Sequence, residues 1–209
     1  MELIENLKWR YATKKFDASK KVSANDLQKL KEVVQLSVSS YGLQLYKVLI
    51  IENSEIREQL KPVSWNQSQI TDASHLFVFC NYTEATPEAI DAFIEQTAET
   101  RNLDLERLNG YGNFIKEKLN EKTSEEKTSW LKSQTYLALG NLLNACAELK
   151  IDACPMEGFE PEAYNKILGL DKQGLNAAVI APIGYRHDED HTIEQQKVRK
   201  PMELLFDTI

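Results

Sequence analysis

Thr123-Ser124-Glu125-Glu126-Lys127-Thr128-Ser129-Trp130-Leu131-Lys132-Ser133-Gln134-Thr135-Tyr136-Leu137-Ala138-Leu139-Gly140-Asn141-Leu142-Leu143-Asn144-Ala145-Cys146-Ala147 is the stretch on which the fold turns. Thr123 and Glu126 stand at capping-box spacing, so a helix is expected from there to about Lys150. It is the longest helix in the chain. Past Gln134 its residues are apolar and often small, as in a helix that packs at the centre of a domain or at an interface. Such a helix needs partners, and the sequence on either side supplies them.

Upstream, Tyr46–Glu52 and His75–Tyr82 read as strands from their β-branched and aromatic content. Downstream, Asn176–Tyr185 reads as a third, and Pro182 within it predicts an edge or bulged position. Helices are expected over residues 2–9, with Leu3, Ile4 and Leu7 as the apolar stripe, and after Ser23, with Leu27, Leu30, Val33 and Val34. Others begin at Asn53 or Ser54, at Thr86-Pro87 and at Pro161, the last ending near Gly169. Residues 87–120 read as a charged surface excursion, with Asn109–Asn113 breaking two helices. Many helices, few strands and no βαβ rhythm predict the α+β class. A chain of 209 residues can bury roughly 70% of its unfolded surface, so residues 1–209 are expected to form one domain.

Composition narrows the function. The net charge of −7 argues against nucleic acid as the main partner, because phosphate backbones select basic faces. Three scattered cysteines without CxxC pairing point to a reducing compartment. The N-terminus carries acidic residues where a signal peptide needs basic ones, and the best apolar run, Ala177–Gly184, is too short to span a bilayer. No membrane partner and a cytoplasmic location are therefore expected.

Several chemical readings are weak. His187-Asp188-Glu189-Asp190-His191 has two histidines at i, i+4, but an acidic solvated loop explains it better than a metal site. Cys154 lacks a histidine placed to activate it. The carboxylates between Glu84 and Asp104 fit a solvated helix face. What stands out in an acidic chain is two basic runs, Arg10-Tyr11-Ala12-Thr13-Lys14-Lys15 and Lys197-Val198-Arg199-Lys200. An anion held by this protein must be met by such local clusters.

Together with Ser39-Ser40-Tyr41-Gly42-Leu43-Gln44, Asp72-Ala73-Ser74-His75, Trp130 through Gln134 to Gly140-Asn141, and Pro155-Met156-Glu157-Gly158-Phe159, these runs form an ordered set. From about residue 2 to 202 the set resembles the nitroreductase family of FMN-dependent NAD(P)H oxidoreductases, in its oxygen-insensitive nitroreductase and dihydropteridine reductase branch. The resemblance implies a mixed sheet flanked by helices, in an intertwined homodimer with an exchanged C-terminal arm. It implies that Arg10, Lys197 and Arg199 meet the flavin phosphate, beside Tyr11 and Ala12, which replace a His-Ser pair of some members. Lys14 would lie at the pyrimidine edge of the ring, where a cation at ~4 Å and an effective dielectric of ~20 is worth about 4 kcal/mol to the reduced form before desolvation.

Glu157 and Gly158 would offer backbone N–H groups near flavin N5, with Pro155 stiffening the turn. Asn66 and Gln69 match positions that reach the flavin or nicotinamide edge, although Gln69 stands where close relatives carry lysine. Leu45 likewise replaces a frequent proline. Ser39, Ser40 and Gly42 would come from the partner subunit. The implied reaction is a ping-pong hydride transfer from NADH or NADPH to a small electron-poor acceptor such as a nitroaromatic, a quinone or free flavin. No side chain acts as acid, base or nucleophile in it and no metal is required. The rival reading is a flavin-binding sensor or carrier without turnover.

Overall fold

The computed structural model describes residues 2–209. Its strands are β1 (Tyr46–Ile51), β2 (His75–Tyr82), β3 (Asp152–Ala153) and β4 (Leu175–Gly184), in the sheet order β1-β2-β4-β3. Its helices are α1 (Glu2–Trp9), α2 (Ala24–Gln35), α3 (Ser54–Leu60), α4 (Gln69–Asp72), α5 (Pro87–Arg101), α6 (Asn109–Asn120), α7 (Ser124–Glu148), α8 (Pro161–Leu168) and α9 (Met202–Leu205). The α+β class holds. The ladders between these strands are all antiparallel, which corrects the expected mixed sheet. A parallel contact survives as one isolated bridge, Ala12 to Ala153. It does not extend because the next residues turn away, with the Lys14 and Lys15 N–H groups donating to Asp190.

Strand β2 explains the layering. Leu76, Val78 and Cys80 enter a core with Leu60, Ile70, Tyr164 and Ile180, whereas Phe77 and Phe79 enter a second core with Leu30, Ala138, Leu142 and Val179. Both faces of the strand are thus covered, and period-2 alternation vanishes into a continuous apolar run. Helix α7 begins with the expected box: Glu126 N–H donates to Thr123 Oγ1 at 3.2 Å, and Thr123 N–H to Glu126 Oε2 at 2.7 Å. Its first half joins a third core, in which Leu131 meets Ile90, Ile94, Ile115 and Leu119 of α5 and α6. The excursion therefore has an apolar anchor of its own.

Three local expectations are corrected. Pro182 lies inside the sheet, since β4 pairs with both β2 and β3. Its carbonyl accepts from Cys154 N–H at 3.1 Å, so its missing donor faces the side where two-residue β3 has ended and no ladder bond is lost. The bulge falls instead opposite Phe79/Cys80. Residues Asn109–Asn113 are helical, and α5 stops earlier, at Asn102, which takes the left-handed conformation with φ 51°. Finally, Leu3, Ile4 and Leu7 are exposed, while the residue α1 buries is Asn6, held by Glu148 and Lys150.

His75, at the start of β2, is 5% exposed. Its Nδ1 lies 2.9 Å from Ser74 Oγ, which accepts from Val22 N–H at 2.8 Å. Taking a ring this deeply placed out of water disfavours its charged form. Burial accordingly holds the His75 pKa below its ordinary 6.5, against the opposing pull of Glu52. On acidification the unfolded chain takes the proton first, so this stabilisation is present above about pH 6.5 and is lost as the pH falls below it. Urea midpoints are expected to decline between about pH 7 and 5. The His75→Asn variant should decline less steeply, and an equal slope would remove His75 from the account.

Candidate functional site

The site is built outward from a buried ion pair. Asp152 Oδ1 accepts from Arg186 Nε at 2.8 Å and Oδ2 accepts from Arg186 N–H at 2.8 Å. Arg186 Nη2 lies 2.6 Å from Oδ1 but is not aligned to hydrogen bond, so that contact is coulombic. The guanidinium is stacked between the rings of Trp9 and Tyr11, at 4.4 and 4.7 Å. Thr13, fully buried, donates to the same carboxylate at 3.3 Å. The residues on both sides of Arg10 are thereby fixed to the sheet.

A second carboxylate ties the other end of this segment. Asp190 is 3% exposed and receives Lys14 N–H, Lys15 N–H, Tyr11 Oη–H and Thr192 N–H. These donors hold its pKa below the ordinary carboxylate value, although burial pushes the other way. Within HDEDH, then, Asp190 is a structural knot between two loops. Among the described residues no group of three or more His, Cys, Asp or Glu is placed to hold a metal ion.

Arg10, Tyr11, Ala12, Pro155, Lys197 and Arg199 line one cleft of about 440 Å³. Four cations line it, but Lys8 is paired with Glu5 at 2.9 Å, which leaves Arg10, Lys197 and Arg199 to act on one another. Burial lowers the pKa of Arg10, and the charge of Arg199 lowers it further. Lys197 is lowered by burial and then by Arg10 and Arg199. Its ammonium donates to the carbonyls of Leu7, Lys8 and Arg10, at the C-terminal end of α1, where a cation complements the helix dipole. Crowded, partly desolvated like charges favour an anion between them.

Pro155 also lines a second cleft, about 410 Å³, otherwise walled by Tyr136, Leu139, Gly140, Leu143, Met156, Glu157 and Val179. The two clefts meet at that proline, one basic and one apolar. Gly158 is packed under Trp65: an added Cβ would lie 2.9 Å from Trp65 Cζ3 and 3.0 Å from Gln67 Nε2. Gln67 donates to the carbonyls of Ser64 and Gly158. Trp65 and Asn66 both take positive φ, at 57° and 55°. Gly158→Ala is expected to cost about 1–3 kcal/mol in urea unfolding, because ring and backbone must shift. It should also change Trp65 fluorescence, and unchanged stability and emission would show the space to be free.

Gln69 is buried beside Cys154, whose thiol pKa is raised by burial against the opposing pull of Lys14 and Arg10. Lys14, Gln69 and Cys154 therefore lie close to the Pro155 turn. Ser39, Ser40 and Gly42 do not. Ser40 N–H donates to Gln134 Oε1 at 2.8 Å, whereas Arg10 sits by Cys146, about 18 Å further along α7 at the helical rise. Gly42, with φ 80°, instead borders a separate cleft of about 540 Å³ against Phe93 of α5. The clamp residues Asp152 and Arg186, the knot at Asp190 and the strained Trp65 were not singled out from sequence.

A model of the Nitroreductase family matches residues 7–185. The chain belongs to the nitroreductase family. Among its family relatives, the major NAD(P)H-flavin oxidoreductase of Aliivibrio fischeri is 34% identical over 208 residues, covering 96% of this chain and 95% of that protein. The oxygen-insensitive NAD(P)H nitroreductase of Salmonella typhimurium is 28% identical, with 97% of each covered. A family structure from Exiguobacterium sibiricum, solved in complex with FMN, superposes with a TM-score of 0.85 at 20% identity, covering 100% of this chain and 98% of that one. Among the described residues no helix is long and apolar enough to cross a membrane.

Proposed function

We propose that this chain is an FMN-dependent oxidoreductase that takes electrons from NADH or NADPH and passes them to a small electron-poor acceptor. The observation that carries the reading is the pair of clefts joined at Pro155, one holding Arg10, Lys197 and Arg199 and the other apolar. An amphiphile with a phosphate at one end and a flat ring at the other matches that division. When bound, FMN supplies the two-electron hydride chemistry that side chains lack. Arg10, Lys197 and Arg199 would neutralise its phosphate, with Tyr11 and Ala12 forming the adjoining wall. Pro155, Glu157, Gly158, Lys14, Asn66 and Gln69 would border the ring, Lys14 as the cation facing its pyrimidine edge. Donor and acceptor would use one place in turn, and nitroaromatics, quinones and free flavin are the acceptor classes to test.

The reading includes a homodimer. Leu3, Ile4 and Leu7 of α1 and Leu204, Leu205 and Phe206 of the tail are exposed apolar residues, which a second copy would cover through an exchanged C-terminal arm. Ser39, Ser40 and Gly42 would then complete the partner's site. Three free, buried cysteines suit the reducing cytoplasm. Residues 1–209 would act as one domain.

The test is an absorption spectrum of the purified protein, taken without oxygen before and after NADH or NADPH. Flavin bands that bleach with one nucleotide support the enzyme. Bands that neither nucleotide bleaches favour a non-catalytic flavin carrier. A colourless protein that FMN cannot reconstitute overturns the reading.

A further inference from the structure

Tyr136 and Glu157 are the two ionisable residues that line the apolar cleft; the rest of its wall is aliphatic side chains, Pro155 and Gly140. They are bonded to each other. The phenol of Tyr136, halfway along α7, donates to Glu157 Oε1. Burial pushes the Tyr136 pKa up to about 12, and the neighbouring carboxylate adds to the shift. Tyr136 is half-buried and rooted in the long helix, whereas Glu157 is exposed and stands in the turn between β3 and α8. A flexible side chain at a lip explores many rotamers unless something holds it. Here the holder is a single neutral hydroxyl whose proton stays in place across the physiological range.

We infer that Tyr136 is a positioning residue that fixes the Glu157 carboxylate at the mouth of the apolar cleft, so that its charge opposes electron gain by the ring bound there. The inference rests on the proposed function for the identity of that ring. Its physical content is coulombic. A negative charge held near a group that becomes more negative on reduction disfavours reduction, and the effect fades when the charge is free to swing into water. Lys14, whose charge is felt at Cys154 next to Pro155, acts with the opposite sign. The two charges oppose one another and keep the ring's potential between what either alone would set. Tyr136 has no effect of its own in this account. It acts through where it holds Glu157.

The experiment is a thermodynamic cycle on the FMN-loaded protein. Wild type, Tyr136→Phe, Glu157→Ala and the double variant are each equilibrated with a reference dye of known potential, and the bound flavin's reduced-to-oxidised ratio is read from its spectrum. At fixed dye poise, Glu157→Ala should raise the ratio about tenfold, as loss of one partly screened charge predicts. Tyr136→Phe should raise it about threefold, because the carboxylate remains but is released. The double variant should match Glu157→Ala alone, since a hydroxyl with nothing to hold changes nothing.

Additive effects in the double variant would overturn the inference, and so would a ratio unmoved by either single change. Melting temperatures of the four proteins serve as the structural control. A purely structural tyrosine would shift melting and leave the ratio alone, which also counts against the inference. If wild type takes up no FMN, the proposed function itself fails. That result is distinct from loaded proteins sharing one potential, which sinks the positioning role alone.

Discussion

Replacing Asp152 with alanine is expected to lower unfolding stability by about 3–5 kcal/mol, the cost of leaving one partner of a buried ion pair alone. The Asp152 side chain is 4% exposed, and Arg186 beside it is 19% exposed. Without the carboxylate, the guanidinium stays between Trp9 and Tyr11 with its charge uncompensated, and Thr13 Oγ1 and Arg186 N–H lose their acceptor. A domain is stable by only about 5–15 kcal/mol in total, so this single change takes a large part of it. Urea unfolding followed by circular dichroism measures the effect. A second comparison tests the cause: Asp152→Leu combined with Arg186→Met should be less damaging than the sum of the two singles, because the apolar pair removes both desolvated charges together. Strict additivity, or a loss below about 1 kcal/mol for Asp152→Ala, would show the pair to be a surface-type contact. The consequence reaches function, because Arg10 is carried between the two rings that the pair holds.

Much of this architecture could be read in the chain because the signals were local. Capping boxes, Pro at helix starts and β-branched runs act within a few residues, and Thr123, Thr86-Pro87 and His75–Tyr82 took the expected forms. The failures were contacts made across long sequence separations. Gly110 and Gly112 read as a break, yet Gly112 lies on Ile94, where a Cβ would come within 3.1 Å, so its small size serves helix packing. Pro182 read as an edge or bulged position because its neighbours across the sheet were unknown. Asp190 read as one more acid in a solvated loop. Its role depends on four donors, three of them from residues 11 to 15, which no spacing within HDEDH reveals. The convergence of Arg10 with Lys197 and Arg199 was expected through family resemblance rather than spacing. The structure places the three on one cleft.

Combined Lys197→Ala and Arg199→Ala substitution is expected to weaken FMN binding by about 3 kcal/mol or more, on the order of a hundredfold in Kd, from two lost charge-assisted contacts. Riboflavin, which has the same ring and no phosphate, provides the decisive comparison. Wild type should bind FMN far more tightly than riboflavin, and the double variant should lose most of that difference while its riboflavin affinity changes little. The two residues are separable. Lys197 also holds the carbonyls at the end of α1, so Lys197→Ala should bring some loss of stability along with weaker binding. Arg199 is exposed and its guanidinium donates to the carbonyl of Val198 beside it, so Arg199→Ala should weaken FMN alone. Raising the salt concentration should narrow the FMN advantage in wild type and matter less in the variant, because screening acts on the charges already removed. A double variant that still prefers FMN over riboflavin by the wild-type factor would place the phosphate elsewhere, and the two basic runs would then need another anion to explain them.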